Sequence, residues 1–106
     1  MIAIINYGAG NLHSVNKALE FVGGQGVVSD DPNVILKAEK VILPGVGAFK
    51  DGMDGLEKRG LTGVVGEVAQ SGVPLLGICL GMQLFFEGSE EQGIHRGLEL
   101  LPGRVL

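Results

Sequence analysis

Val73-Pro74-Leu75-Leu76-Gly77-Ile78-Cys79-Leu80-Gly81-Met82-Gln83-Leu84-Phe85-Phe86 is the stretch on which the fold turns. Its short apolar run with a leading proline reads as a buried strand, and Leu80 to Phe86 reads as the helix that follows. Between them stands Gly77-Ile78-Cys79-Leu80-Gly81, a G-x-C-x-G element. This is the nucleophile elbow with sulfur in place of oxygen. A strand that turns this sharply into a helix strains the central residue and leaves no room for side chains two positions either side. The pattern places the Cys79 sulfur at the carboxyl end of the strand, with the Leu80 N–H facing the same space as an oxyanion donor. A helix N-terminus there favours thiolate over thiol. A free cysteine is ordinarily just a small buried hydrophobe. The paired glycines argue against that here.

Upstream, Ile2-Ala3-Ile4-Ile5 is a continuous apolar run of the kind buried on both faces of a parallel sheet. Asn11 can cap a helix carrying Leu12, Val15, Ala18, Leu19 and Val22 at helical spacing, and Gly23-Gly24 stops it. Gln25 to Ser29 reads as a short strand, and Asp30-Asp31-Pro32 opens a brief helical turn. Lys40-Val41-Ile42-Leu43 is a third strand, leading into Pro44-Gly45-Val46-Gly47. Asp51 to Arg59 and Thr62 to Ser71 form two helices broken near Gly60. Beyond Glu87 the chain turns polar and glycine-rich, and Leu98 to Leu106 suggests two short strands turned at Pro102-Gly103. Strands alternating with helices imply an open parallel α/β sheet with right-handed crossovers and helices on both faces. Ligands bind such sheets at the carboxyl ends of the strands, where the elbow and both glycine loops fall.

The 106 residues suit a single domain, and 45% apolar against 19% charged residues excludes a disordered chain. A net charge of −4 gives no reason to expect nucleic acid or an anionic membrane as partner. One cysteine cannot form an internal disulfide, which points to a reducing cytoplasm. No signal peptide or membrane-spanning run is evident. His13 and His95 stand too far apart to suggest a metal cluster, and no cofactor is expected. Gly8-Ala9-Gly10 begins a dinucleotide fingerprint, but His13 stands where its third glycine belongs, so a plain strand–helix turn is the better reading. A backbone donor from Gly45, Val46 or Gly47, together with Leu80, would make a two-point oxyanion site. Gln83 lies one helical turn beyond Cys79 on the same face. Ser89-Glu90-Glu91 is an acidic turn able to receive an ammonium group.

Gly45-Val46-Gly47, the elbow and Ser89-Glu90-Glu91 together resemble the class I (triad-type) glutamine amidotransferases, whose fold is flavodoxin-like. With Tyr7-Gly8-Ala9-Gly10-Asn11-Leu12 and Leu43-Pro44-Gly45-Val46-Gly47-Ala48-Phe49 added, the resemblance narrows to the glutaminase subunits of imidazole glycerol phosphate synthases. It implies that Cys79 attacks the carboxamide of glutamine, giving a thioester and ammonia. It further implies an oxyanion hole of Gly45, Val46, Gly47 and Leu80, with Gln83 and Glu91 contacting the bound glutamine. A (β/α)8-barrel cyclase partner would take the ammonia, with the Gly8–Asn11 turn toward it. The family's general base and orienting carboxylate lie on an H-x-E element that neither His13 nor His95 supplies. The resemblance therefore implies an amino-terminal half, residues 1–106 forming one domain incomplete at its C-terminus, with apolar surface left open on the sheet. The alternative is a non-catalytic interaction domain that retains the elbow.

Overall fold

The computed structural model describes every residue except Asn11 and Gln92; the Asn11 cap lies outside the described residues. Four parallel strands, β1 (Ile2–Ile5), β2 (Gly26–Ser29), β3 (Lys40–Leu43) and β4 (Leu75–Gly77), form a sheet in the order β2-β1-β3-β4. In register, Ile4 stands beside Val28 and Ile42, and Ile42 beside Leu76. The connecting helices are α1 (Leu12–Phe21), α2 (Pro32–Lys37), α3 (Phe49–Lys58) and α4 (Thr62–Gln70). The local reasons are simple. Gly23, at φ +87°, ends α1, and Gly60, at φ +68°, separates α3 from α4. Asp31 caps α2 by accepting from the Asn33 N–H at 2.9 Å, with Pro32 at the first helical position.

Successive strand residues point to opposite faces. Ala3, Ile5, Val41 and Leu43 share one buried cluster with Ile35, Leu56, Leu61, Val65 and Val68, which fixes α2, α3 and α4 on that face. Ile4 and Ile42 turn toward α1. Here the cover is incomplete: no residue of α1 is fully buried, and Phe21 is 91% and Leu76 57% exposed. Val15, Ala18, Leu19 and Val22 line an open apolar cleft with Ile42 and Ile78. Beyond it, β4 is one of the two edge strands of the sheet. An uncovered face is expected from the sequence; α1 covers it in part, burying Ile4 and Ile42 while leaving Leu76 exposed.

Two expectations are corrected at the C-terminal end. The helix after the elbow, α5, spans only Leu80–Gln83 rather than reaching Phe86. The carbonyls of Leu84, Phe85 and Phe86 instead accept from the N–H groups of Leu98, Leu100 and Glu99 at 2.8 to 3.0 Å. The Phe85 and Phe86 N–H groups donate three residues back, to Met82 and Gln83 at 3.2 Å, so the helix tightens after Gln83 and the returning segment takes the carbonyls of any further turn. For the same reason Leu98 to Leu106 is not a hairpin. Only β7 (Arg104–Val105) is a strand, and it pairs parallel with β5 (Gly88–Ser89), whose other neighbour is the antiparallel β6 (His95–Arg96). α3 also begins at Phe49 rather than Asp51.

Gly63 and Gly66 lie inside α4 with open space where a Cβ would stand. Alanine at each position is expected to stabilise the chain by about 0.5–1 kcal/mol, read as a higher urea midpoint with unchanged slope.

Candidate active site

Cys79 is exposed and holds φ +54°, ψ −117°, a conformation that L side chains rarely adopt. The chain must bend here because the strand ladder continues straight past β4. Ile78 N–H donates to the Leu43 carbonyl at 3.0 Å, and Leu80 N–H donates to the Gly45 carbonyl at 3.0 Å. The flanking glycines then have a steric explanation. A Cβ on Gly77 would meet Phe85 Cε2 at 2.5 Å and Met82 Cα at 2.6 Å. One on Gly81 would overlap the Leu43 carbonyl outright. The elbow is pressed against the end of β3.

Pro44-Gly45-Val46-Gly47 leaves β3 beside it. Pro44 and Gly45 are buried, whereas Val46 is 61% exposed. Gly47 takes φ +112°. The turn after β1 abuts this loop, since a Cβ on Gly10 would stand 3.0 Å from Gly45 Cα. All three loops therefore meet at the carboxyl end of the sheet.

Gln83 is partly exposed, and its N–H donates to the Cys79 carbonyl at 3.2 Å, one turn beyond the sulfur-bearing residue. The Glu91 carboxylate accepts from the N–H of Phe49, the first residue of α3, at 3.4 Å. Its own N–H donates to Ser89 Oγ at 3.0 Å, and Ser89 is fully buried. The acidic turn is thus tied to the far end of the glycine loop. Leu80 N–H is already engaged by Gly45, so it faces a protein carbonyl rather than an open space. His13 is exposed on α1. His95 sits opposite Ser89 and lines a cleft with Lys50, Met53, Asp54 and Glu57, whose walls do not include Cys79.

Tyr7 was not singled out by spacing, yet it lies at the centre. It is 1% exposed, its hydroxyl donates to the Pro44 carbonyl, and burial pushes that hydroxyl's pKa far above the ordinary tyrosine value. Arg59 Nη1 donates to the Tyr7 carbonyl at 3.0 Å. A signal was available: an aromatic followed by glycine at the end of β1, in a chain with a single tyrosine. Among the described residues no group of three or more His, Cys, Asp or Glu side chains could hold a metal ion, and no helix is long and apolar enough to cross a membrane.

Strained cysteine, abutting glycine loops and parallel sheet define a class of protein that comparison identifies. Residues 3–99 match the family of class I glutamine amidotransferases, and the chain belongs to that family. It is 60% identical over 104 residues to imidazole glycerol phosphate synthase subunit HisH of Moorella thermoacetica, covering 98% of this chain and 50% of that one. It is 56% identical over 105 residues to the subunit HisH of Geobacter metallireducens, covering 99% and 50%. The chain spans about half the length of the curated relatives it matches. A solved glutamine amidotransferase superposes with a TM-score of 0.81 at 16% identity, over 98% of this chain and 55% of the other. A putative peptidase E from Listeria monocytogenes gives 0.76 at 14% identity, over 94% and 62%. These last two likenesses concern the fold alone.

Proposed function

We propose that this chain is the nucleophile-bearing part of a glutaminase that serves imidazole glycerol phosphate synthesis in histidine biosynthesis. The observation that carries this reading is the exposed Cys79, held at φ +54° between two glycines that admit no side chain. The Cys79 thiolate attacks the side-chain carbonyl carbon of glutamine. The C–N bond breaks, ammonia leaves with the proton it gains, and water then cleaves the thioester to glutamate. Negative charge on the carbonyl oxygen is met by backbone N–H groups of the Gly45–Gly47 loop and of Leu80. Because Gly45 O occupies Leu80 N–H at 3.0 Å, that carbonyl has to turn away first, which swings the Val46 N–H into its place. Gln83 and Glu91 hold the amino-acid end of the substrate.

The general base and its carboxylate come from a segment corresponding to the half of the relatives that this chain does not span. Ammonia passes to a (β/α)8-barrel cyclase subunit docked on the side of the Gly8–Gly10 turn. A cleft lined by Gly8, Gly10, Val46, Gly47, Asp51 and Arg59 opens there. A single unpaired thiol suits a reducing cytoplasm.

The test is glutamate release from glutamine, with the remaining half of the Moorella thermoacetica relative fused after Leu106 and the other synthase subunit added. The fused protein is expected to turn over, and the 106-residue chain to run at least ~10⁴-fold slower for want of a base. A well-folded fusion that binds its partner but releases no glutamate contradicts the reading, and leaves the docking-domain alternative.

A further inference from the structure

We infer that Tyr7 is a positioning residue: its hydroxyl pins the Pro44 carbonyl and so confines movement of the loop after β3 to the Gly45–Val46 peptide. Pro44 has φ set by its ring and no N–H to offer, so only its ψ is free. The Tyr7 hydroxyl, donating to the Pro44 carbonyl, fixes that remaining angle. Tyr7 is itself held. Arg59 Nη1 donates to its carbonyl at 3.0 Å and to the Gly55 carbonyl at 3.3 Å, which ties the end of β1 to the end of α3. Gly55 has no side chain where one would overlap the Tyr7 carbonyl, so α3 can approach this closely.

The hydroxyl also occupies the place where a Cβ on Gly45 would stand. Tyr7 and Gly45 are therefore interlocked: the aromatic residue fills the gap that the glycine leaves. The peptide on one side of Gly45 is fixed by ring and hydroxyl. The peptide on the other side, whose carbonyl accepts from Leu80 N–H at 3.0 Å, is the one left to rotate. The residue that anchors the near side of this peptide thus lies just past β1 and reaches across to the loop after β3. Burial keeps the hydroxyl protonated, so it remains a donor wherever the chain is folded. The catalytic weight of this pin rests on the reading of Leu80 as an oxyanion donor; the pin itself does not.

Amide hydrogen exchange on the chain tests it without glutamine, so failure of the glutaminase reading and failure of the pin are separate results. In Tyr7→Phe the Leu80 amide is expected to exchange about tenfold faster or more, a change that local release of one hydrogen-bonded peptide accounts for. The Val41 and Ile78 amides, bonded to Pro74 and Leu43 at 2.9 and 3.0 Å, are expected to hold their rates. An unchanged Leu80, or a uniform rise at all three amides, overturns the inference. Gly45→Ala provides the second arm. With the hydroxyl gone, the nearest neighbours of the new Cβ are Leu80 Cβ at 3.2 Å and Gly81 N at 3.3 Å. Its destabilisation is therefore expected to be smaller in the Tyr7→Phe background than in the parent, and equal losses contradict the interlock. Should Tyr7→Phe not fold, 3-fluorotyrosine can replace the single tyrosine. Its more acidic hydroxyl donates more strongly, so Leu80 exchange slows; an unchanged or faster rate overturns the proposal.

Discussion

Gly81→Ala is expected to destabilise the chain by roughly 4 kcal/mol or more, among the largest effects of any single methyl group in it. The added Cβ overlaps the Leu43 carbonyl, and Pro44 O stands 3.0 Å away on the same side. Both obstacles are backbone. Moving them breaks the Ile78–Leu43 and Leu80–Gly45 bonds, each 3.0 Å, that join the elbow to the end of β3. Gly77→Ala is expected to cost less, because two of the three atoms it meets belong to the Phe85 ring and a side chain can shift. Gly47→Ala meets nothing within 4 Å and suffers only from its φ of +112°, about 1–2 kcal/mol. Urea denaturation of the three variants ranks them. A Gly81→Ala loss no larger than that of Gly47→Ala contradicts the packing described.

Cys79→Gly has the opposite sign for stability and the largest effect on chemistry. A non-glycine residue at φ +54°, ψ −117° stores strain of about 1–2 kcal/mol, and glycine releases it. The side chain is exposed, so little packing is lost. The variant is expected to unfold at higher urea while the fused protein loses glutamate release by about four to six orders of magnitude. Cys79→Ala keeps the strained backbone and loses the sulfur, so it is expected to be equally inactive without the gain in stability. A Cys79→Gly chain no more stable than Cys79→Ala shows that the elbow is relaxed.

The four-stranded sheet was readable because its strands are continuous apolar runs with glycine or proline at their ends, a pattern that two covered faces produce. The elbow was readable because its two glycines stand where neighbouring atoms leave no room for a side chain. What the sequence hid depends on distant partners. After Gln83 the Phe85 and Phe86 N–H groups bond three residues back, to Met82 and Gln83, and the Leu84–Phe86 carbonyls go to Leu98, Leu100 and Glu99 rather than to a further turn, which no local periodicity records. β5 and β6 are two residues each and sit in a polar, glycine-rich stretch, so their pairing lies below any strand signal. Tyr7 and Pro44 are 37 residues apart, and their contact exists only because β1 and β3 are neighbours. The engagement of Leu80 N–H by Gly45 was invisible for the same reason: motif and spacing identify a donor, but only the folded chain shows what it already holds.

The most direct measurement is the reaction of the 106-residue chain with an electrophilic glutamine analogue, followed by peptide mapping, with free glutamine as competitor. A single adduct at Cys79 whose formation slows as glutamine rises is the outcome expected of a sulfur presented at the carboxyl end of the sheet beside a glutamine pocket. Labelling indifferent to glutamine, or a thiol that reacts only after urea is added, contradicts it.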